Sequence, residues 1–140
     1  MAILGIDYGE KKAGLAISVS DDMAVPLEVF RYQNSDALIQ RIGHVCEERG
    51  VDVIVVGVPI GLKGSGVRPA DLRNSQTKKV LKFVELLKNS LGKQVVCYDE
   101  RMSTKAAEEL LRGHKKTDDD AVAAMVILQN FLENKKIQKK

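Results

Sequence analysis

The apolar positions of the first 32 residues predict three short β-strands. Strand-forming residues cluster in three segments, 2–7, 13–20 and 25–32. Only short turns separate these segments, so consecutive strands are expected to pair antiparallel. Pro26, near the start of the third segment, indicates an edge strand because proline has no N–H to donate to a neighbour.

Beyond residue 32 the pattern alternates between helices and strands. Apolar residues recur every three or four positions in two segments that each end at a glycine, 35–49 and 75–91. Strands are predicted over 52–58, whose near-continuous apolar run is typical of burial on both faces, and over 94–98. Two further helices are expected, a short one over 103–112 and a buried, almost wholly apolar one over 118–134. Residues 59–74, rich in Gly and containing two prolines, are expected to form a long mobile loop.

This order predicts an α/β protein with a five-stranded mixed sheet flanked by helices. Three antiparallel strands precede two parallel βα units, and right-handed crossovers place strands four and five beside strand one. Functional sites in such sheets lie beyond the carboxyl ends of the parallel strands. Asp7 and Glu100 both fall at such ends.

Length and charge limit what else the chain can be. At 140 residues we expect one domain over 1–134, followed by a basic tail, 135–140. The net charge of +3 comes from the end of the chain, where four lysines oppose Glu133, so the body is close to neutral. No apolar run approaches the about 18 residues of a membrane span, and no targeting segment precedes Asp7. We therefore expect a cytoplasmic protein without a membrane partner. Cys46 and Cys97 are expected to be buried apolar residues.

Carboxylates converge on the predicted edge of the sheet from three places. Asp7 ends strand one, Glu100 follows strand five, and 118–120 open the last helix. Such hard oxygen ligands suit Mg²⁺ or Mn²⁺ in phosphodiester hydrolysis. Structural alternatives exist for each: an Asx turn at Asp7, a surface ion pair at Glu100, and a capping box from Thr117 to Asp120.

Basic residues near these positions are candidates for contacts with nucleic-acid phosphates, although each could equally be a solvated surface charge. The candidates are Lys12, Arg68, Arg73, Arg101, Lys115 and Lys116. Few aromatic residues are present to stack on bases, and Tyr8 is expected to have a packing role.

Four motifs in order resemble the YqgF or RuvX family, which is related to RuvC-type Holliday-junction resolvases. They are GIDYG at 5–9, GVP at 57–59, DER at 99–101, and KK-x-x-x-D-x-x-AA at 115–124. The resemblance implies a ribonuclease-H-like fold and a metal-dependent nuclease that uses Asp7, Glu100 and Asp120 with Mg²⁺ or Mn²⁺. Where RuvC-type resolvases carry a glutamate after strand four, this chain has Gly57-Val58-Pro59, so Glu100 would supply that acid.

The resemblance also implies a substrate. The family is associated with maturation of the 5′ end of 16S ribosomal RNA, which suggests structured precursor rRNA and a ribosomal precursor particle as partners of a monomer or weak homodimer. Alternatives are a Holliday-junction resolvase, which needs a symmetric dimer, and a non-catalytic RNA-binding assembly factor. An actin-like ATPase or sugar kinase is less favoured, because two such domains surround the nucleotide in those proteins.

Overall fold

The computed structural model describes residues 2–58, 75–99 and 120–138. Within these ranges the chain forms one mixed sheet of five strands in the order β3-β2-β1-β4-β5. The strands are β1 (Ala2–Tyr8), β2 (Lys12–Ser18), β3 (Ala24–Arg31), β4 (Val51–Val58) and β5 (Gln94–Asp99). The helices of these ranges are α1 (Ser35–Arg49), α2 (Ser75–Leu91) and the last helix, α3 (Asp120–Gln138).

The strand pairing confirms the predicted topology. β1 pairs antiparallel with β2, and β2 pairs antiparallel with β3, which is the edge strand that carries Pro26. β4 and β5 lie parallel on the other side of β1. The predicted helix 103–112 and the predicted loop 59–74 lie outside the described residues.

Most element ends lie within one residue of the predictions, and larger differences occur at the ends of β2 and α3. β2 ends at Ser18 rather than at residue 20, because the Val19 N–H donates to the Met23 carbonyl (2.9 Å) and reverses the chain. α3 is described from Asp120 and continues to Gln138, four residues beyond the predicted end at 134, while the predicted residues 118 and 119 lie outside the described residues. Lysine and glutamine are good helix formers, which favours this extension of the helix.

Helices cover the sheet on both faces. α1 and α2 bury one face, where their apolar residues join Leu4 and Ile6 of β1 in one cluster. α3 covers the other face, where its apolar residues pack in one cluster with Ile3 of β1. Because side chains alternate along a strand, Asp7 points to the same face as Ile3, toward α3. Tyr8 points to the opposite face and stacks on Phe83 of α2 with ring centroids 4.3 Å apart, which confirms its packing role.

Small residues let α3 approach the sheet closely. A Cβ atom at Gly5 would lie 2.8 Å from the Leu128 Cβ, and Ala16, Ala24 and Ala124 are fully or almost fully buried in the same layer. Gln129, only 3% exposed, then joins α3 to the β2–β3 hairpin. Its side chain accepts from the Ala24 N–H (2.9 Å) and donates to the Asp22 carbonyl (2.8 Å). The last helix is largely buried over 121–132, as its apolar sequence predicts.

Residues at both ends of α1 cap the helix. Asn34 caps α1 by accepting from the Ala37 N–H (2.9 Å), and Gly50 ends it with a φ of 64°. Cys46 is buried and Cys97 half-buried, both as free thiols, and burial raises the pKa of each thiol. No helix in the described part of the chain is long and apolar enough to cross a membrane.

Candidate active site

The carboxyl ends of the three parallel strands meet at one edge of the sheet. Ile6 of β1 lies beside Val56 of β4, and Val58 of β4 lies beside Asp99, the last residue of β5. Asp7 follows Ile6 directly and is half-buried. β1, β4 and β5 therefore all end at this edge of the sheet.

The start of α3 lies against the same edge. Asp7 of β1 is paired with Gly14 of β2. A Cβ atom at Gly14 would lie 1.9 Å from the Asp120 carbonyl oxygen and 2.7 Å from the Ala121 nitrogen. The first peptide of α3 thus rests directly on the residue opposite Asp7, a position that only glycine permits.

This packing creates a cleft that contains both acids. Its volume is about 280 Å³, and it is lined by Asp120 and by the end of β1 with the following turn, Asp7 to Lys12. Two of the three acids predicted from sequence, Asp7 and Asp120, therefore share one cleft. The third, Glu100, follows Asp99 in the chain and lies outside the described residues.

Lys12 is the basic candidate that the structure places in this cleft. Its Nζ lies 3.4 Å from Asp120 Oδ2, and the two side chains are 39% and 26% exposed. Ion pairs with this much exposure contribute at most about 1 kcal/mol, so the contact positions Lys12 more than it stabilises the fold. The other predicted phosphate contacts lie outside the described residues: Arg68, Arg73, Arg101, Lys115 and Lys116.

The turn after β1 is held from two sides. On one side the Tyr32 hydroxyl donates to the Gly9 carbonyl, and the Tyr32 N–H donates to the Lys11 carbonyl (3.1 Å). Burial, with a smaller contribution from Tyr8, raises the pKa of Tyr32 above its ordinary value. On the other side Glu10 pairs with Lys79 of α2, and the hydrogen bond from Lys79 holds the Glu10 pKa below its ordinary value.

The donor chemistry of the cleft fits a hard divalent cation. Carboxylate oxygens are the ligands that Mg²⁺ and Mn²⁺ prefer, and Mg²⁺ is commonly held by one or two carboxylates with waters and substrate phosphates. Within the described ranges no group of three His, Cys, Asp or Glu residues comes close enough to hold a metal by itself. The described part of the site therefore supplies two carboxylates, Asp7 and Asp120.

A family model described as RuvX, Holliday junction resolvase, matches residues 1–134. The chain belongs to the RuvX family. The description of this family and the names of its relatives are those of nucleases, so the chain is a nuclease, a hydrolase of phosphodiester bonds.

Relatives of this RuvX protein agree with the match over almost the whole chain. A protein of Chloroflexus aurantiacus is 36% identical over 94% of this chain and 86% of its own length, and one of Desulforamulus reducens is 36% identical over 96% and 98%. Both are named as candidate pre-16S rRNA nucleases.

Solved structures show the fold. RuvC of Thermus thermophilus, in complex with a Holliday junction, has a TM-score of 0.64 at 16% identity and covers 97% of this chain and 96% of its own. The fowlpox virus Holliday junction resolvase has a TM-score of 0.52 at 13% identity over 96% and 99%. The ribonuclease-H-like α/β fold expected from the motifs is confirmed.

Sequence reasoning missed the residues that bring the acids of this RuvX protein together. The pattern predicts only a strand around Gly14, although a glycine within a strand often marks a close approach of another backbone. It likewise predicts only a strand residue at Tyr32. Neither its bond to the turn nor the ion pair between Glu10 and Lys79 can be read from sequence, because the partners lie 23 and 69 positions apart.

Proposed function

We propose that this RuvX protein is a divalent-metal-dependent endonuclease that acts in the maturation of the 5′ end of pre-16S rRNA. The observation that carries the proposal is the seating of Asp120 on Gly14, directly opposite Asp7, at the carboxyl edge of the sheet. Metal-dependent cleavage needs carboxylates at a fixed separation. Here β1 supplies Asp7 and α3 supplies Asp120, and the close contact of α3 with Gly14 restrains the two backbones relative to each other.

Asp7 and Asp120 would hold Mg²⁺ or Mn²⁺, with Glu100 as the third ligand. When bound, the ion supplies Lewis-acid stabilisation of the phosphate oxygens and makes a coordinated water more acidic. Asp7 is held in register by β2, and Asp120 belongs to the first turn of a helix that is largely buried over 121–132. Both carboxylates can therefore keep their positions without reorganising as charge develops on the phosphate.

Lys12 pairs with Asp120 in the cleft, and we assign it to the substrate phosphates. Its partly exposed ammonium group can reach an incoming backbone while remaining near Asp120. Arg68, Arg73, Arg101, Lys115 and Lys116 are proposed as further phosphate contacts. Under this proposal one domain over 1–134 carries the activity, with 135–140 as a basic tail, in a cytoplasmic monomer or weak homodimer that meets structured precursor RNA, free or within a ribosomal precursor particle.

A second candidate function is the resolution of four-way DNA junctions. The description of the matching family model favours it. The names of the curated relatives favour the RNA substrate, and we take RNA as the primary proposal because those relatives are 36% identical over nearly the whole chain.

The experiment combines metal binding with cleavage. Mn²⁺ is titrated calorimetrically into the wild type, Asp7→Asn, Glu100→Gln and Asp120→Asn without nucleic acid, and each protein is then assayed on 5′-extended 16S precursor RNA and on a four-way DNA junction. Asp52→Asn is the matched control, because Asp52 is an exposed aspartate near the opposite end of β4. Each site variant should lose saturable Mn²⁺ binding and cleave on the order of 100-fold or more slowly, as expected when one preorganised charge-stabilising group is removed.

The outcomes separate the candidates. Cleavage of the junction but not of the RNA would assign the chain to resolution. RNA binding without cleavage by the wild type, with or without Mn²⁺, would make it a non-catalytic assembly factor. Activity that survives in Asp7→Asn would exclude this cleft as its source.

A further inference from the structure

The solvent-facing side of the first half of α2 is basic. Lys78, Lys79 and Lys82 are all exposed. At about 100° of rotation per residue these three positions fall within an arc of about 100°. The opposite side of the helix is buried, with Phe83 and Leu87 in the core beneath the sheet. We call this set of three lysines the basic face of α2.

The basic face adjoins the cleft that holds Asp7 and Asp120. The Lys79 ammonium pairs with Glu10 in the turn that lines the cleft. Lys11, the next residue of that turn, is also exposed and contributes to the lowered pKa of Glu10. Two lysines, Lys79 and Lys11, therefore act on one carboxylate at the rim of the cleft, and Lys78 and Lys82 continue the positive charge along the exposed side of α2.

The helix dipole does not favour a lysine at the start of α2. The positive end of a helix dipole favours acids in the first turn, and a cation there costs about 0.3–1 kcal/mol at low salt. The first turns of α1 and α3 contain acids, Asp36 and Asp120, whereas that of α2 contains none. Among the described residues, no carboxylate forms an ion pair with Lys78 or Lys82.

Charge along the helix falls off with distance from the cleft. One turn beyond Lys82 the exposed Glu85 appears, and the next exposed charge is Lys88, so the second half of α2 is balanced. An excess of positive charge confined to the end nearest the cleft is what a polyanion would need if it ran from the cleft across α2. Phosphate contacts of this kind set the position of a nucleic acid without reading its sequence.

We propose that the basic face of α2, together with Lys11, binds the sugar–phosphate backbone of the substrate strand that flanks the cleavage site. This inference rests on the proposed nuclease function and extends its footprint to a surface outside the acidic cleft. RNA and DNA share this backbone chemistry, and the two are separated by the probes used in the test.

The test measures binding apart from cleavage. Fluorescence anisotropy follows a labelled RNA hairpin with single-stranded flanks, and a four-way DNA junction, in EDTA over a series of salt concentrations. The variant is Lys78→Gln with Lys82→Gln, which leaves the pair between Lys79 and Glu10 intact. The control removes the same charge from the far end of the helix and the loop behind it, Lys88→Gln with Lys93→Gln.

The basic-face variant should bind the preferred probe about tenfold more weakly at 0.1 M salt, and the slope of log K against log salt should become shallower by about 1.4–1.8, as for two lost phosphate contacts. The control should bind as the wild type does, and Mn²⁺ affinity measured without nucleic acid should be unchanged in both. Equal weakening in variant and control would overturn the inference, because it would show a general charge effect.

The inference and the proposed function can fail separately. If the variant binds like the wild type while the acids remain essential for cleavage, the basic face is not a binding surface and the nuclease function stands. If the wild type binds through the basic face but never cleaves, the binding surface stands and the nuclease function is wrong. If the wild type binds neither probe in any salt, both proposals are wrong.

Discussion

Replacing Gly14 with alanine should move the first turn of α3 away from Asp7. The new Cβ would lie 1.9 Å from the Asp120 carbonyl oxygen, whereas real Cβ contacts stay beyond 3.0 Å. Relief therefore needs a displacement of about 1.1 Å between β2 and α3. The opposing atoms belong to the backbone, so no side-chain rotation can provide it.

The magnitude follows from two effects. Overpacking of this kind costs about 1–3 kcal/mol of the free energy of unfolding. Because a misplacement of about 1 Å at a reacting centre can cost about 100-fold in rate, cleavage should fall by about that factor, and Mn²⁺ binding should weaken in parallel. The assays are urea unfolding, Mn²⁺ calorimetry and the cleavage rate on precursor RNA.

Gly5→Ala is the matched control. Its Cβ would meet the Leu128 Cβ at 2.8 Å and the Ala124 carbonyl at 3.1 Å, which stresses the same helix further from Asp120. It should lower stability while leaving Mn²⁺ affinity close to that of the wild type. The reasoning is refuted if Gly14→Ala keeps wild-type affinity, or if both variants lose affinity in proportion to their loss of stability.

Two further predictions concern the bonds of Gln129 that join α3 to the β2–β3 hairpin, and the ion pair of Glu10 in the turn after β1. Gln129→Leu should lower the free energy of unfolding by about 1–3 kcal/mol in urea titrations, since it removes the bonds to the Ala24 N–H and the Asp22 carbonyl and leaves the buried Ala24 N–H unsatisfied. Glu133→Ala, which removes only the bond from Gln129 Nε2 (3.0 Å), should cost less than about 1 kcal/mol, and equal losses would contradict this account. Glu10→Gln should lower the melting temperature more at pH 7 than at pH 2.5. Because Lys79 lowers the Glu10 pKa in the folded state, the stabilisation is complete above the ordinary value of 4.5 and is lost as the pH falls through the lowered pKa. A difference from the wild type that is the same at both pH values would exclude this ion pair as its cause.

Sequence reasoning recovered the fold because its signals are local. The spacing of apolar residues reported the strands and the helices at 35–49 and 75–91, and short turns with right-handed crossovers leave few ways to order five strands. The end of β2 was predicted less accurately, because the turn after Ser18 contains a hydrogen bond between Val19 and Met23. The site was predicted as far as topology reaches, which is to the edge of the sheet where Asp7 ends β1.

The amino-acid sequence by itself determined the strand order, the buried last helix and the candidate acids, since each is encoded in residue type and spacing along the chain. Only the tertiary structure decided which groups meet. The peptide of Asp120 resting on Gly14, opposite Asp7, and the pairing of Glu10 with Lys79 join segments that are far apart in the chain. Their separation is set by how closely two backbones and a helix can pack, and a one-dimensional pattern does not contain that distance.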